Sequence, residues 1–146
     1  MRSQTPDRVI RRPTSVLYII AVMVMAGAAF AVQSLLDEET EQLLVDAVTA
    51  ATELDLYNAR CRSDGSGRRT DNLNKELASK FRMTVLKVQD DLFPDGSYRR
   101  AQQRLQQEFL AKLKDAGGCR EAKQAGMPKQ LRARYEELMR AIDRLP

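Results

Sequence analysis

The residues of this chain with the most definite chemistry are two cysteines, Cys61 and Cys119. In an exported protein an even cysteine count reads as a disulfide, and two thiols allow a single intramolecular pairing. Closing the 58-residue separation between them is worth about 4 kcal/mol in the chain-entropy description. That is a large share of the roughly 5–15 kcal/mol that holds a domain folded. An intermolecular link and a pair of reactive thiols are the other uses of such residues. Redox pairs are usually spaced C-x-x-C at a helix start, and that spacing does not occur here.

Carboxylates are the next candidates. Asp90, Asp91 and Asp95 flank Phe93-Pro94, and Asp115 lies near a helix end. Adjacent acids at a helix C-terminus oppose the helix dipole, which makes Asp90-Asp91 a possible ion ligand or acid/base pair. The ordinary alternative is a solvated helix end running into a Pro-Asp-Gly turn. Asp95-Gly96-Ser97 lacks the further ligands of an EF-hand loop. The 146 residues include no histidine and no tryptophan. A Ser-His-Asp triad, a Cys-His pair and a His-ligated zinc or haem are therefore excluded. Two cysteines are also too few for a four-thiolate metal site. We expect no cofactor, no metal and no catalytic residue; the side chains on offer suit a binder better than an enzyme.

Arginines form the third group. Arg60, Arg62, Arg68 and Arg69 surround a Ser63–Gly67 loop, and Arg99, Arg100 and Arg104 follow Tyr98 on a helix. Tyr98, Arg99, Arg100, Arg104, Arg62, Arg68 and Arg69 make up the candidate partner surface, suited to an acidic protein, a phosphate or lipid head groups. A surface laced with salt bridges is the plainer alternative. Gly65-Ser66-Gly67 is not a phosphate-binding loop, because no G-x-x-x-x-G-K pattern exists. The absence of interleaved aromatic residues argues against single-stranded nucleic acid.

The N-terminus decides where these residues operate. Arg2, Arg8, Arg11 and Arg12 precede an uninterrupted apolar run from Val16 to Val32, which contains Ala29-Phe30-Ala31. A basic region, an apolar region and an A-x-A exit define a secretory signal. Cleavage after Ala31, read from Ala29 and Ala31, leaves an exported domain over 32–146. The alternative is an uncleaved signal anchor: 17 apolar residues are at the short end for a span, where about 20 are usual. The arginines would then hold the N-terminus in the cytoplasm. Either way the bulk of the chain is exported, to the periplasm or as the periplasmic part of a single-pass inner-membrane protein. The formal charge of +4 falls to +1 once residues 1–31 are set aside. Basicity thus belongs largely to the signal, and nucleic acid is not an expected partner.

Four main helices must position the candidate residues. Leu43, Ala47, Ala50, Leu54, Tyr57 and Cys61 step by fours and threes, the seam of an amphipathic helix starting near Asp37. A second stripe, Leu73, Leu77, Phe81, Val85, Val88 and Leu92, predicts one helix from an N-cap at Asp71 to about Asp91. Ser97 is placed to cap a third, which carries Ala101, Leu105, Phe109 and Leu113 and ends at Gly117-Gly118. A short piece over Cys119–Ala125 precedes a last helix from about Lys129, bearing Leu131, Tyr135, Leu138 and Ile142. No segment alternates with period two. The fold class expected is all-α, a small four- to five-helix bundle.

Signal, helix ending in cysteine, hairpin, second cysteine and closing helix form a layout similar to that of small secretion-system pilotins. The similarity covers about residues 40–146 and is one of arrangement, without a shared motif. Pilotins are commonly lipid-anchored, whereas no cysteine lies near residue 31. Signal, staple, helical seams and the lack of catalytic side chains lead us to expect an accessory role in an envelope or secretion assembly, as an adaptor or chaperone-like factor binding a protein partner. A membrane subunit docking on a larger complex and an inhibitor or immunity-type binder are the alternatives.

Overall fold

The computed structural model describes Leu36–Pro146. The apolar run over 16–32 and the cleavage residues Ala29 and Ala31 lie outside the described residues. Within them the chain is all-α: six helices and no strand.

Helix α1, Glu38–Arg62, is the hub. The Asp37 carboxylate accepts the Thr40 N–H at 2.7 Å, and Glu38, Glu39 and Glu41 sit in the first turn, where the helix dipole favours acids. Arg60 and Arg62 occupy the last turn, so charge and dipole agree at both ends. Leu44, Ala47, Val48, Ala50, Ala51, Leu54 and Tyr57 are all buried. This face is wider than the expected seam because α1 is packed by several helices at once. Its alanines let those neighbours approach closely.

The single helix expected over 71–91 is two helices, α2 Arg68–Phe81 and α3 Val85–Asp91. Arg82 turns left-handed at φ 54°, and the Met83 N–H reaches back to the Leu77 carbonyl at 3.3 Å. The Thr84 hydroxyl then caps α3 by accepting the Lys87 N–H at 3.1 Å. Asn74, one helix earlier, accepts the Val85 N–H at 2.9 Å. Leu73, Leu77, Val85 and Val88 are buried on both sides of the bend, so the apolar period runs through it unbroken.

Asp71 is not the N-cap of α2, which begins three residues earlier after Gly67. Its first N–H groups are satisfied from α1 instead: Asp55 accepts from Arg69 at 3.2 Å and from Thr70 at 2.8 Å. Ser97 does occupy the N-cap of α4, Tyr98–Asp115, but its hydroxyl makes no capping bond. Asp90 accepts the Tyr98 N–H at 2.6 Å in its place. Three successive helices are thus capped by side chains of the preceding helix. The caps lock packing and helix starts together.

Gly117 and Gly118, at φ 87° and 93°, reverse the chain into the short α5, Cys119–Gln124. A side chain at Gly117 would press on Glu121 at 3.1 Å, so only glycine fits comfortably. Helix α6, Met127–Arg144, begins with Pro128 in its first turn, where proline costs no hydrogen bond. It runs parallel to α2. Lys80 of α2 donates to the Asp143 and Leu145 carbonyls at 2.6 and 2.9 Å, closing the α6 C-terminus.

The core has two parts. Leu44, Val48, Leu73, Leu77, Val88, Leu105 and Ile142 centre one; Leu54, Tyr57, Phe109, Leu113, Ala122 and Leu131 form the other. Tyr135 packs against both.

Candidate functional site

Cys61 and Cys119 are joined, with their Cα atoms 5.4 Å apart, and no described cysteine is free. The bridge ties the last turn of α1 to the first residue of α5, and both residues pack on the second core cluster. Beside it is a groove of about 280 Å³ lined by Tyr57, Arg62, Lys123 and Pro128. The pairing expected from the sequence is the one present.

Three of the candidate carboxylates, Asp90, Asp91 and Asp95, have structural partners. Asp90 caps α4 as described above, and Asp91 pairs with Lys87 at 2.6 Å one turn away. Asp95 is gripped by Arg104, with Nε at 2.9 Å from Oδ1 and Nη2 at 2.8 Å from Oδ2. This two-point contact holds the Asp95 carboxyl below the usual carboxylate range. Among the described residues no group of three or more histidines, cysteines, aspartates or glutamates comes together as a metal cage.

The α4 arginines divide by what they touch. Besides Asp95, Arg104 reaches Glu108 at 3.1 Å and lies over the buried Phe93 ring, 5.8 Å from its centroid. Arg104 therefore anchors the Phe93–Ser97 turn. Arg100 donates to the Asp95 carbonyl at 2.7 Å, and Arg99 to the Tyr98 hydroxyl at 3.3 Å. Arg99 and Arg100 remain exposed; Tyr98 is half-buried.

Arg68 and Arg69 have a different setting. They line a groove of about 310 Å³ with Leu54, Asn72, Arg132, Tyr135 and Glu136. A second hollow, of about 460 Å³, shares Asn72, Tyr135 and Glu136 and adds Lys75, Glu76, Met139 and Arg140. Together they form a trough between the parallel helices α2 and α6. Tyr135 sits along it, donating to the Arg69 carbonyl at 3.4 Å, and burial pushes its phenol upward. Among the described residues Arg68, Arg69 and Arg132 enter no ion pair. Their neighbour Arg134, by contrast, is paired with Asp46 and Glu53 of α1. Asp64 is held low chiefly by Ser66, through its hydroxyl and then its N–H, with Arg68 and Arg69 adding longer-range attraction.

Sequence reasoning found Arg68 and Arg69 but not Lys75, Arg132 or Arg140. No local pattern links α2 to α6, because their adjacency is created by docking on α1. The one available signal was on α6 itself, where Arg132 and Met139 share a helical face with the half-apolar Tyr135. A further cleft of about 330 Å³ lies against the Gly/Ser loop, lined by Thr52, Asp55, Thr70, Asp71 and Gln102. The buried Thr52 hydroxyl has no hydrogen-bond partner among the described residues.

Comparison with protein-family models, with curated proteins and with solved structures finds no match for this chain. Among the described residues no helix is long and apolar enough to cross a membrane.

Proposed function

We propose that this chain is an exported, disulfide-stapled accessory protein that acts by binding a protein partner in the cell envelope, as an adaptor or chaperone-like factor, with no catalysis of its own. The observation that carries the reading is the Cys61–Cys119 bridge with no described thiol left over. Such a bridge suggests an oxidising compartment outside the cytoplasm. The N-terminal signal pattern supports the same destination. The uses found for Asp90, Asp91 and Asp95 as caps and ion-pair partners favour binding over chemistry.

Fractionation followed by alkylation, with and without reductant, tests the reading. Protein recovered from the envelope or periplasm should resist alkylation until reduced. Free thiols in protein from its native compartment would contradict export and the staple alike.

A second reading, a single-pass inner-membrane subunit docking on a larger complex, is favoured by the apolar run over 16–32. N-terminal sequencing of the mature protein separates the two. A start at Val32 rules out the anchor, and retention of residues 1–31 establishes it.

A further inference from the structure

We infer that the trough between α2 and α6 is the partner-binding site, and that its occupant is an extended acidic segment of a protein. The inference rests on the adaptor reading above and names the chemistry of the partner.

Charge is the first argument. Arg68, Arg69, Lys75, Arg132 and Arg140 line the trough against two carboxylates, Glu76 and Glu136. Several cations elsewhere on the domain have been drawn into pairs, among them Arg104 with Asp95 and Glu108, Arg134 with Asp46 and Glu53, and Lys87 with Asp91. Arg68, Arg69 and Arg132 have not, although they converge from two helices on one groove. Guanidinium groups so placed offer forked donors to carboxylates without first giving up an internal partner.

Shape supplies the second. The trough is shallow and open, with Tyr135 and Met139 half-buried along it. A flat array of lipid head groups would bring its anions against Glu76 and Glu136. A polypeptide can lay an apolar side chain on Tyr135 and Met139 and direct its carboxylates to the walls. From Arg68 to Lys75 along α2 is about 10 Å at the helical rise per residue. In an extended chain of the polyproline II type, side chains three residues apart lie on one face about 9 Å apart. The segment that fits therefore carries acids about three residues apart with an apolar residue between them.

The test uses a fluorescein-labelled peptide with two glutamate pairs separated by one leucine, titrated into the full chain at low salt and read by anisotropy. Binding should saturate and weaken at least tenfold in Arg68→Glu/Arg132→Glu. Arg99→Glu/Arg100→Glu should stay within twofold of wild type. All four arginines are at least partly exposed, and circular dichroism establishes that each variant is folded. Equal binding by the Arg68→Glu/Arg132→Glu variant and wild type overturns the inference. So does sedimentation with phosphatidylglycerol vesicles in the absence of peptide binding, or complete displacement of the peptide by low-millimolar inorganic phosphate. Crosslinking in envelope fractions separates this inference from the reading beneath it. A partner kept by Arg68→Glu/Arg132→Glu defeats the trough alone, whereas no partner for wild type defeats the adaptor reading.

Discussion

Removing the staple should weaken one half of the domain selectively. The perturbation is Cys61→Ala/Cys119→Ala, or reduction of the native chain. The bridge spans 58 residues, a loop that contains α2, α3 and α4. Restoring that loop's freedom to the unfolded chain costs the folded state about 4 kcal/mol. For a domain near this size the corresponding fall in midpoint is roughly 15–25 °C. The loss should be uneven. Helix α5 has only 6 residues and buries one of them, Ala122, so it has little hold on the core apart from Cys119. The first core cluster, around Leu73, Leu77, Val88 and Ile142, does not touch the bridge. Thermal unfolding gives the total, and hydrogen exchange gives its distribution. Protection should fall most over 54–62, in α5 and at the start of α6, while α2 and α3 keep most of theirs. A midpoint shift under about 3 °C, against the 15–25 °C expected from size scaling, would refute the staple as a major source of stability. An even loss of protection across all six helices would refute its local role.

Three further substitutions probe the caps and the turn. Asp55→Ala strands the Arg69 and Thr70 N–H groups and should cost about 1–2 kcal/mol in urea unfolding, with Asp55→Asn recovering part; no loss would show that water serves the α2 start equally well. Asp95→Asn should cost about 1 kcal/mol at neutral pH, a figure kept small by the partial exposure of Arg104. Because the folded carboxyl is lowered by Arg104, its stabilisation is full above the unfolded value near pH 4 and disappears as pH falls through the lower folded value. The gap between Asp95→Asn and wild type should therefore narrow as pH falls below about 4, and a gap independent of pH would refute the ion pair's contribution. Arg82→Gly relieves a left-handed non-glycine residue at φ 54° and should raise stability by about 0.5–1 kcal/mol, so an unchanged or lower midpoint would mean that the Arg82 side chain contributes packing of its own.

The elements legible in the sequence are those written by local periodicity. The seam Ala47, Ala50, Leu54, Tyr57 is buried as spaced, and Leu105, Phe109 and Leu113 of α4 face inward as their steps require. The Cys61–Cys119 pairing was legible from compartment and count. The break at Arg82–Thr84 was not, because the stripe on either side of it buries the same face. Thr84 carried the only local sign, a capping hydroxyl amid apolar residues. Caps supplied across helices by Asp55, Asn74 and Asp90 have no sequence signature, since each depends on a tertiary neighbour. For the same reason Arg68 and Arg69 were identifiable as candidates while Lys75, Arg132 and Arg140 were not. The last helix brings its own cations to the trough only after packing on α1.

The most direct measurement is photo-crosslinking in envelope fractions, with a photoreactive residue placed at Asn72, inside the trough, or at exposed Ala111 on α4. Asn72 should give a discrete crosslinked protein whose attached peptide, sequenced by mass spectrometry, is acidic; Ala111 should give none. Loss of the Asn72 product in Arg68→Glu/Arg132→Glu completes the expected result. No product at either position, or the same product at both, would contradict a partner-binding role for this surface.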